Sequence, residues 1–384
     1  MFAGRQLRAA LTGLALGALT LTTLQGTATA ATDTPAATST HAAKTSPVAS
    51  IEAATARALA RSLAEPAWQR QMAEAAVANK DVDLLALTAK SGAKRVKDFR
   101  TTLARAEADV AEAKGLGKGA PSLLRVSLAG RKVTESALAT TEPLVASAPA
   151  DDDAKTIVAY DSAGKAHELD AAKTPNRPVY LVGVDGQKAL AAGLKVVDEE
   201  LAAKGIGTPP ADKAPSLSAA DSGFWTTRIQ SISVGDVQEP WFKGDAEIFT
   251  LVTGFGTDGK VRVDTVTMPY LNDENTTYYP NQILVNWSNY KYNLADAVIM
   301  EDDGDTNYSS LAKALAAVLL TITDQGAYIP LVDAIINAMP TSWWTDDPDY
   351  VDSFYTLARE TTGTRAGAAA NARMTVDRYY VSAL

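Results

Sequence analysis

The chain has 384 residues, with 36 Lys and Arg against 45 Asp and Glu, two His and no Cys, for a formal net charge of -9. That length accommodates two or three domains with ample core, and the acidic balance excludes nucleic acid or any partner held by phosphate neutralisation. The absence of cysteine excludes a disulfide framework and a thiolate nucleophile, and His41 and His167 alone are too few for imidazole triads or His-rich zinc sites.

Residues 1–30 follow the three-part pattern of an export signal. Arg5 and Arg8 give the basic start, an apolar stretch runs from Ala10 to Leu24, and Ala28-Thr29-Ala30 supplies the cleavage site, with cleavage expected after Ala30. A membrane anchor needs about 20 strongly apolar residues. This stretch is shorter and is diluted by Gly13, Gly17 and several Thr. The expectation is a secreted, extracellular protein with no transmembrane anchor after cleavage. A secreted chain without disulfides fits a bacterial exported protein better than a eukaryotic one. The sequons at Asn275, Asn286 and Asn307 then read as accidental.

Residues 31–49 are Thr/Ala/Pro-rich and aperiodic, a disordered spacer that contains His41. Residues 50–139 read as a helical region. Val96, Phe99, Leu103, Ala106 and Val110 form an apolar seam at three- and four-residue spacing, with Gly115 and Gly117 as stops. Pro66 suits the first turn of a helix carrying Trp68 and Met72 on one face. Residues 140–205 form a small α/β segment: TIVAYDS (156–162) and PVYLVGV (178–184) read as strands, and 187–205 as a helix ending at Gly205. His167, in a short strand with no motif to orient it, reads as a surface or packing residue.

Residues 206–221 are the Gly/Pro/Ser-rich linker. The charge changes along the chain, from +5 over residues 31–140 to -5 over 141–221 and -11 over 222–384, and five of six Trp and eleven of thirteen Tyr follow residue 222. Residues 222–384 read as an antiparallel β-sandwich with a helical insertion. Strands are expected at 226–234, 246–254, 261–268, 282–287, 295–300 and 371–380, and helices at 309–323 and 328–339. The fold class is therefore α+β.

Three motifs fail on context. GFGTDG at 254–259 matches a dinucleotide fingerprint, but an alternating strand follows it, and Asp258-Gly259 signals a hairpin. Ser-x-x-Lys occurs three times, and only Ser310/Lys313 opens a helix, with no KTG companion. The apolar run around 315–323 is about half a bilayer span and reads as buried helix.

The acidic loops survive. EDDGDTN (301–307) places four carboxylates and an amide in seven residues, Asp236, Glu239 and Asp245 follow the first strand, and Asp346, Asp347, Asp349 and Asp352 lie in TDDPDYVD. Carboxylates about 5 Å apart repel by roughly 1–3 kcal/mol, so ordered clusters want a compensating cation. Ca²⁺ takes 6–8 oxygens from flexible loops, and Asp303-x-Asp305 after a strand resembles the calcium loops of C2-type sandwiches. The EF-hand spacing fails, with Tyr308 and Ala314 where Gly and Glu are required. The competing reading is helix capping, by EDDGDTN before a helix near Ser309 and by Asp347-Pro348 before another.

The segments EPWFKGDAEIFTLVTG, YYPNQILVNW and EDDGDTNYSSLAKAL resemble an uncharacterised family of bacterial exported proteins, a domain of unknown function (number 3103). The resemblance spans most of the mature chain. It implies an exported bacterial protein with a C-terminal sandwich, and it carries over no catalytic residue.

The function expected is a secreted, non-enzymatic binding or structural protein with a Ca²⁺ site in a C2-like C-terminal sandwich. Its ligands would be Asp236, Asp245, Asp302, Asp303 and Asp305, and its partner a surface, glycan or protein. A site of about 0.1 mM affinity would add about 1.4 kcal/mol at about 1 mM calcium. One alternative is carbohydrate binding by exposed members of Trp225, Trp241, Trp287, Trp343, Trp344, Tyr278, Tyr279, Tyr290 and Tyr292. The other is a carboxylate-dependent hydrolase such as a glycosidase, for which no feature selects an acid pair.

Overall fold

The computed structural model describes residues 46–382 apart from 80, 130–137, 139–140, 150–153, 174, 207–222, 237–245, 303 and 340–349. The signal segment, most of the spacer, the linker, Asp245, Asp303, Trp241, Trp343, Trp344, Asp346, Asp347 and Asp349 lie outside these residues.

The chain enters through α1 (Pro47–Ser62), capped by the Ser46 hydroxyl, which accepts the Ala49 N–H. The expected spacer thus gives way to helix three residues before its predicted end, because Ser46-Pro47 is an N-cap followed by proline at the first helical position. Next come α2 (Pro66–Ala78), β1 (Asp81–Asp83), α3 (Leu84–Ala89) and α4 (Lys94–Ala113). The seam read from the sequence is the buried face of α4, from Val96 to Val110. Trp68 and Met72 are buried on α2, where the Trp68 indole N–H donates to Ser62 Oγ at 2.9 Å.

A six-stranded sheet follows in the order β1-β2-β6-β3-β4-β5. It is built from β1, β2 (Leu124–Ala129), β3 (Leu144–Ser147), β4 (Thr156–Tyr160), β5 (Ala166–Asp170) and β6 (Val179–Val184). All neighbours are antiparallel except β3 and β6. Two of its strands, β1 and β2, fall inside the stretch read as helical. LRVSLA alternates with period two, but it is six residues long and follows a strong helix. α5 (Gly186–Ala203) then covers the approach to the C-terminal half.

That half contains two four-stranded antiparallel sheets, β10-β7-β14-β13 and β12-β11-β8-β9. The strands are β7 (Phe224–Val234), β8 (Ile248–Gly256), β9 (Val261–Thr267), β10 (Gln282–Asn286), β11 (Tyr290–Glu301), β12 (Tyr350–Ala358), β13 (Gly363–Ala366) and β14 (Ala372–Val381). GFGTDG is the β8–β9 hairpin, with Gly259 at φ +77°, as its turn chemistry predicts. The helices are α6 (Tyr308–Leu319) and α7 (Val332–Ala338). After Asp347-Pro348, where a helix was expected, the chain forms strand β12.

β8 is buried along its whole length, which places apolar layers on both of its faces. Ile248 and Val252 join the core shared by the two sheets, together with Ile229 of β7 and Phe354 of β12. Phe249, Leu251 and Phe255 point the other way, into a core that continues through Leu315 of α6 and Leu194 of α5 to Phe99 of α4 and Leu59 of α1. Each such phenyl or leucyl side chain contributes about 1.5–3 kcal/mol by leaving water. Residues on both sides of the linker thus share one core. No helix among the described residues is long and apolar enough to cross a membrane.

Candidate functional site

The acidic loop EDDGDTN docks on the two helix ends that the N-terminal half presents to it. α4 terminates with Gly115 at φ +64°, and Leu116 N–H bonds back to Ala111 O at 2.8 Å, the αL closure that frees the last carbonyls. The loop takes those carbonyls. Asn307 Nδ2 donates to Ala113 O at 2.8 Å, and the Tyr308 N–H donates to Lys114 O at 3.0 Å. A Cβ on residue 115 would come within 2.5 Å of the Asn307 amide oxygen, so glycine is required there both for its conformation and for this approach. Asn307 also caps α6 by accepting the Ser310 N–H. On the other side, the Ser46 hydroxyl at the start of α1 donates to Asp305 Oδ1 at 2.5 Å.

Lys114 closes the centre. Its side chain is 0% exposed, and its ammonium lies 3.3 and 3.4 Å from the two oxygens of Asp302 and 2.7 Å from Gly304 O. The Tyr308 hydroxyl donates to Asp302 Oδ2, and the Tyr308 ring lies 5.6 Å below the ammonium. Gly193 of α5 admits that ring, since a Cβ there would meet it at 2.2 Å. Burial, followed by the neighbouring Asp302 charge, holds the Tyr308 phenol well above its ordinary value, so it remains a proton donor. Glu52 of α1 completes the group, with its Oε1 accepting the Val184 N–H at 2.9 Å. Burial pushes its carboxyl up to about 7, against the lowering effects of that bond and of the Lys114 charge. The centre therefore holds an amine, two carboxyls and a phenol, sealed from solvent between the two halves of the chain.

The other expected ligands lie elsewhere. Asp236, at the end of β7, exchanges bonds with Asn371: its N–H donates to Asn371 Oδ1 and its carbonyl accepts from Asn371 Nδ2. Asp302 and Asp305 share the acidic loop, and among the described residues no three His, Asp or Glu side chains converge as a metal would require. Asp352 of the third acidic stretch is fully buried, and its carboxylate accepts the N–H groups of Ser353, Ala369, Asn371 and Ala372 at 2.6–2.9 Å. His167 pairs with Asp161 at 2.8 Å beside a turn. Ser310 and Lys313 are exposed on α6.

Among the expected aromatics, Trp287 and Tyr290 are buried in the core between the sheets. Tyr292 packs edge-on to Phe255 and Tyr328 and donates to Asp324 at 2.6 Å. Tyr279 is exposed, and Tyr278 bonds to Asp273. Trp225 is 38% exposed and meets Tyr380 of the paired strand β14 at 5.1 Å, with the rings tilted by 58°. Tyr379 and Tyr380, which the sequence reading did not single out, are 40% and 42% exposed. The Arg378 and Arg228 guanidiniums lie 4.3 Å over Trp225 and Tyr379 respectively. Both cations are balanced, Arg378 by Glu360 and Arg228 by Asp377 at 2.7 Å.

Lys114 and Glu52 went unnoticed because nothing local marks them. A lysine at a helix C-terminus is ordinary dipole chemistry, and its carboxylate partner is 188 residues away. A family described as a protein of unknown function (DUF3103) matches residues 53–383. No curated protein and no solved structure matches the chain.

Proposed function

Since the chain belongs to DUF3103, a family of unknown function, we propose its role from geometry: an exported, non-enzymatic binding protein that holds an uncharged glycan at the end of β7 and β14. The carrying observation is the pair Trp225 and Tyr380, exposed side by side on one face of paired strands, in a protein whose other described aromatics are largely core. Aromatic faces bury the apolar side of a sugar ring. The flanking Arg378 and Glu360 supply planar polar groups that pair with neighbouring hydroxyls. Because the guanidinium is already matched by a carboxylate, an uncharged ligand fits better than an anionic one. The tilt between Trp225 and Tyr380 suits a turned or terminal sugar rather than the flat face of a crystalline polysaccharide.

The non-enzymatic part rests on the carboxyls whose titration is displaced towards neutrality. Glu52, Asp198 and Asp296 are each engaged inside the protein, with the Val184 N–H, the Thr265 hydroxyl, and the Leu331 and Thr356 N–H groups respectively, rather than open to a substrate. The two sheets sharing one core are read as a C2-like β-sandwich, with the glycan at one end of its strands. Export by the N-terminal signal would put that end in contact with extracellular polysaccharide, and the secreted protein would then begin at Ala31.

Affinity electrophoresis against a panel of soluble neutral polysaccharides tests the reading. Retardation by at least one member is expected, and it should be abolished in Trp225→Ala and Tyr380→Ala. Unaltered mobility in every gel overturns it.

A further inference from the structure

We propose that Lys114 and Asp302 are joined in the folded protein by an isopeptide bond between Nζ and the side-chain carboxyl carbon, formed by the fold itself. The Nζ atom lies 3.3 and 3.4 Å from the two carboxylate oxygens, longer than the ~2.7–2.9 Å of a charge-assisted hydrogen bond. With C–O bonds of about 1.2 Å, the carbon between them lies within about 4 Å of the nitrogen. Nearly equal distances to both oxygens set the nitrogen against the carboxyl group as a whole, with the N···C separation a little beyond the ~3–3.5 Å of a near-attack arrangement.

The two oxygens have unequal surroundings, which assigns their fates. Oδ2 accepts the Tyr308 hydroxyl, the donor that stabilises charge developing on that oxygen. Among the described residues, Oδ1 has a long contact, 3.4 Å, from the Gly304 N–H besides Lys114, so it is the oxygen that leaves. One ammonium proton passes to the carboxylate, and the freed Nζ lone pair attacks the carbon to form the C–N bond. The C–Oδ1 bond then breaks, and the oxygen departs as water with a second proton from the nitrogen. The sum is ammonium plus carboxylate giving amide plus water, with no oxidant, reductant or co-reactant. The amide N–H keeps the bond to Gly304 O, and the amide oxygen keeps the one from Tyr308. The apolar surroundings favour the product, because an amide replaces two buried charges. In a chain without cysteine, the bond would tie the N-terminal helices to the C-terminal sheets covalently.

Denaturing intact-mass measurement of the purified protein, with its N-terminus determined, decides. The expected mass is one water below that of the sequence. Trypsin should fail to cut after Lys114 and should yield a branched peptide carrying both residues. Lys114→Met and Asp302→Ala should regain the full mass. Asp302→Asn should condense with loss of ammonia and reach the same final mass as the unaltered protein. A wild-type mass equal to the sequence, with cleavage after Lys114 and separate peptides, overturns the proposal even where the variants do not fold.

Discussion

Asp302 and Asp352 are two buried carboxylates from acidic stretches of similar appearance, and the protein accommodates them by opposite means. Asp352 gathers four backbone N–H groups, two from the turn between β13 and β14 and one from Ala372, which opens β14. It thereby fastens β12 of one sheet to the other sheet by peptide dipoles alone. A Cβ at Gly367 would fall 2.2 Å from its carboxyl carbon, so the turn closes over it without room to spare. Asp302 instead meets the amine of Lys114, 188 residues away, and the phenol of Tyr308, six residues on. The first arrangement is local and serves the sandwich. The second is long-range and serves the junction of the two halves. Acid-rich sequence therefore does not by itself indicate a ligand: backbone donors can absorb one cluster and a buried amine another.

Substitutions sharpen that contrast. Asp352→Ala should be the most damaging, because several buried N–H groups each lose their acceptor at ~1–3 kcal/mol apiece. A loss of about 5 kcal/mol in urea unfolding is expected. Lys114→Met should cost about 4 kcal/mol by leaving the Asp302 carboxylate buried without its cation. Adding Asp302→Leu should recover much of that, since an apolar pair of similar volume replaces a buried ionic one at little cost. No comparable rescue exists for Asp352, whose partners are main chain. If the double variant is no better than Lys114→Met, the pair matters through geometry and not through charge.

The junction should also respond to pH. Glu52 titrates at about 7 in the folded protein against an ordinary 4.5, so the folded state binds its proton more tightly. Its contribution is fully present below pH 4.5 and is lost as pH rises through 7, about 3 kcal/mol in all at ~1.4 kcal/mol per unit. Stability measured by urea unfolding should fall over that window, and Glu52→Gln should flatten most of the decline. The residual slope belongs to Asp198, which burial pushes up to about 6, and to Asp296, which burial also raises. A decline undiminished in Glu52→Gln would assign the pH response to other groups.

Much of the fold was legible where one periodicity ruled. The α4 seam, the strands at 156–160, 179–184 and 261–267, and the GFGTDG hairpin all follow from local pattern. β2 and β12 were missed because a short strand beside a helical stretch, or after Asp-Pro, carries little signal of its own. β13, four exposed residues on an edge, has none. The candidate site was half legible. EDDGDTN and the Asn307 cap stood out from composition and capping grammar, but the cation answering the loop is a lysine whose role depends on tertiary closure.

That lysine bears directly on calcium, the smallest of the expected effects. The sequence reading asked for a cation to relieve the carboxylates of residues 301–305. Asp302 faces the Lys114 ammonium and the Tyr308 hydroxyl, Asp305 accepts from Ser46, and Asp236 belongs to the Asn371 turn instead. An added divalent ion would find Asp302 already engaged by Lys114, as ion pair or as amide, a partner that cannot diffuse away. We therefore expect the thermal midpoint in about 1 mM calcium to coincide with that in EGTA. A calcium-dependent rise worth about 1.4 kcal/mol, the gain for tenfold saturation over the dissociation constant, would show that the loop binds the ion despite Lys114. Repeating the scan with Lys114→Met separates the two readings further. If the ammonium is the loop's cation, calcium should stabilise the variant more than the unaltered protein, because only there is Asp302 left without a positive partner.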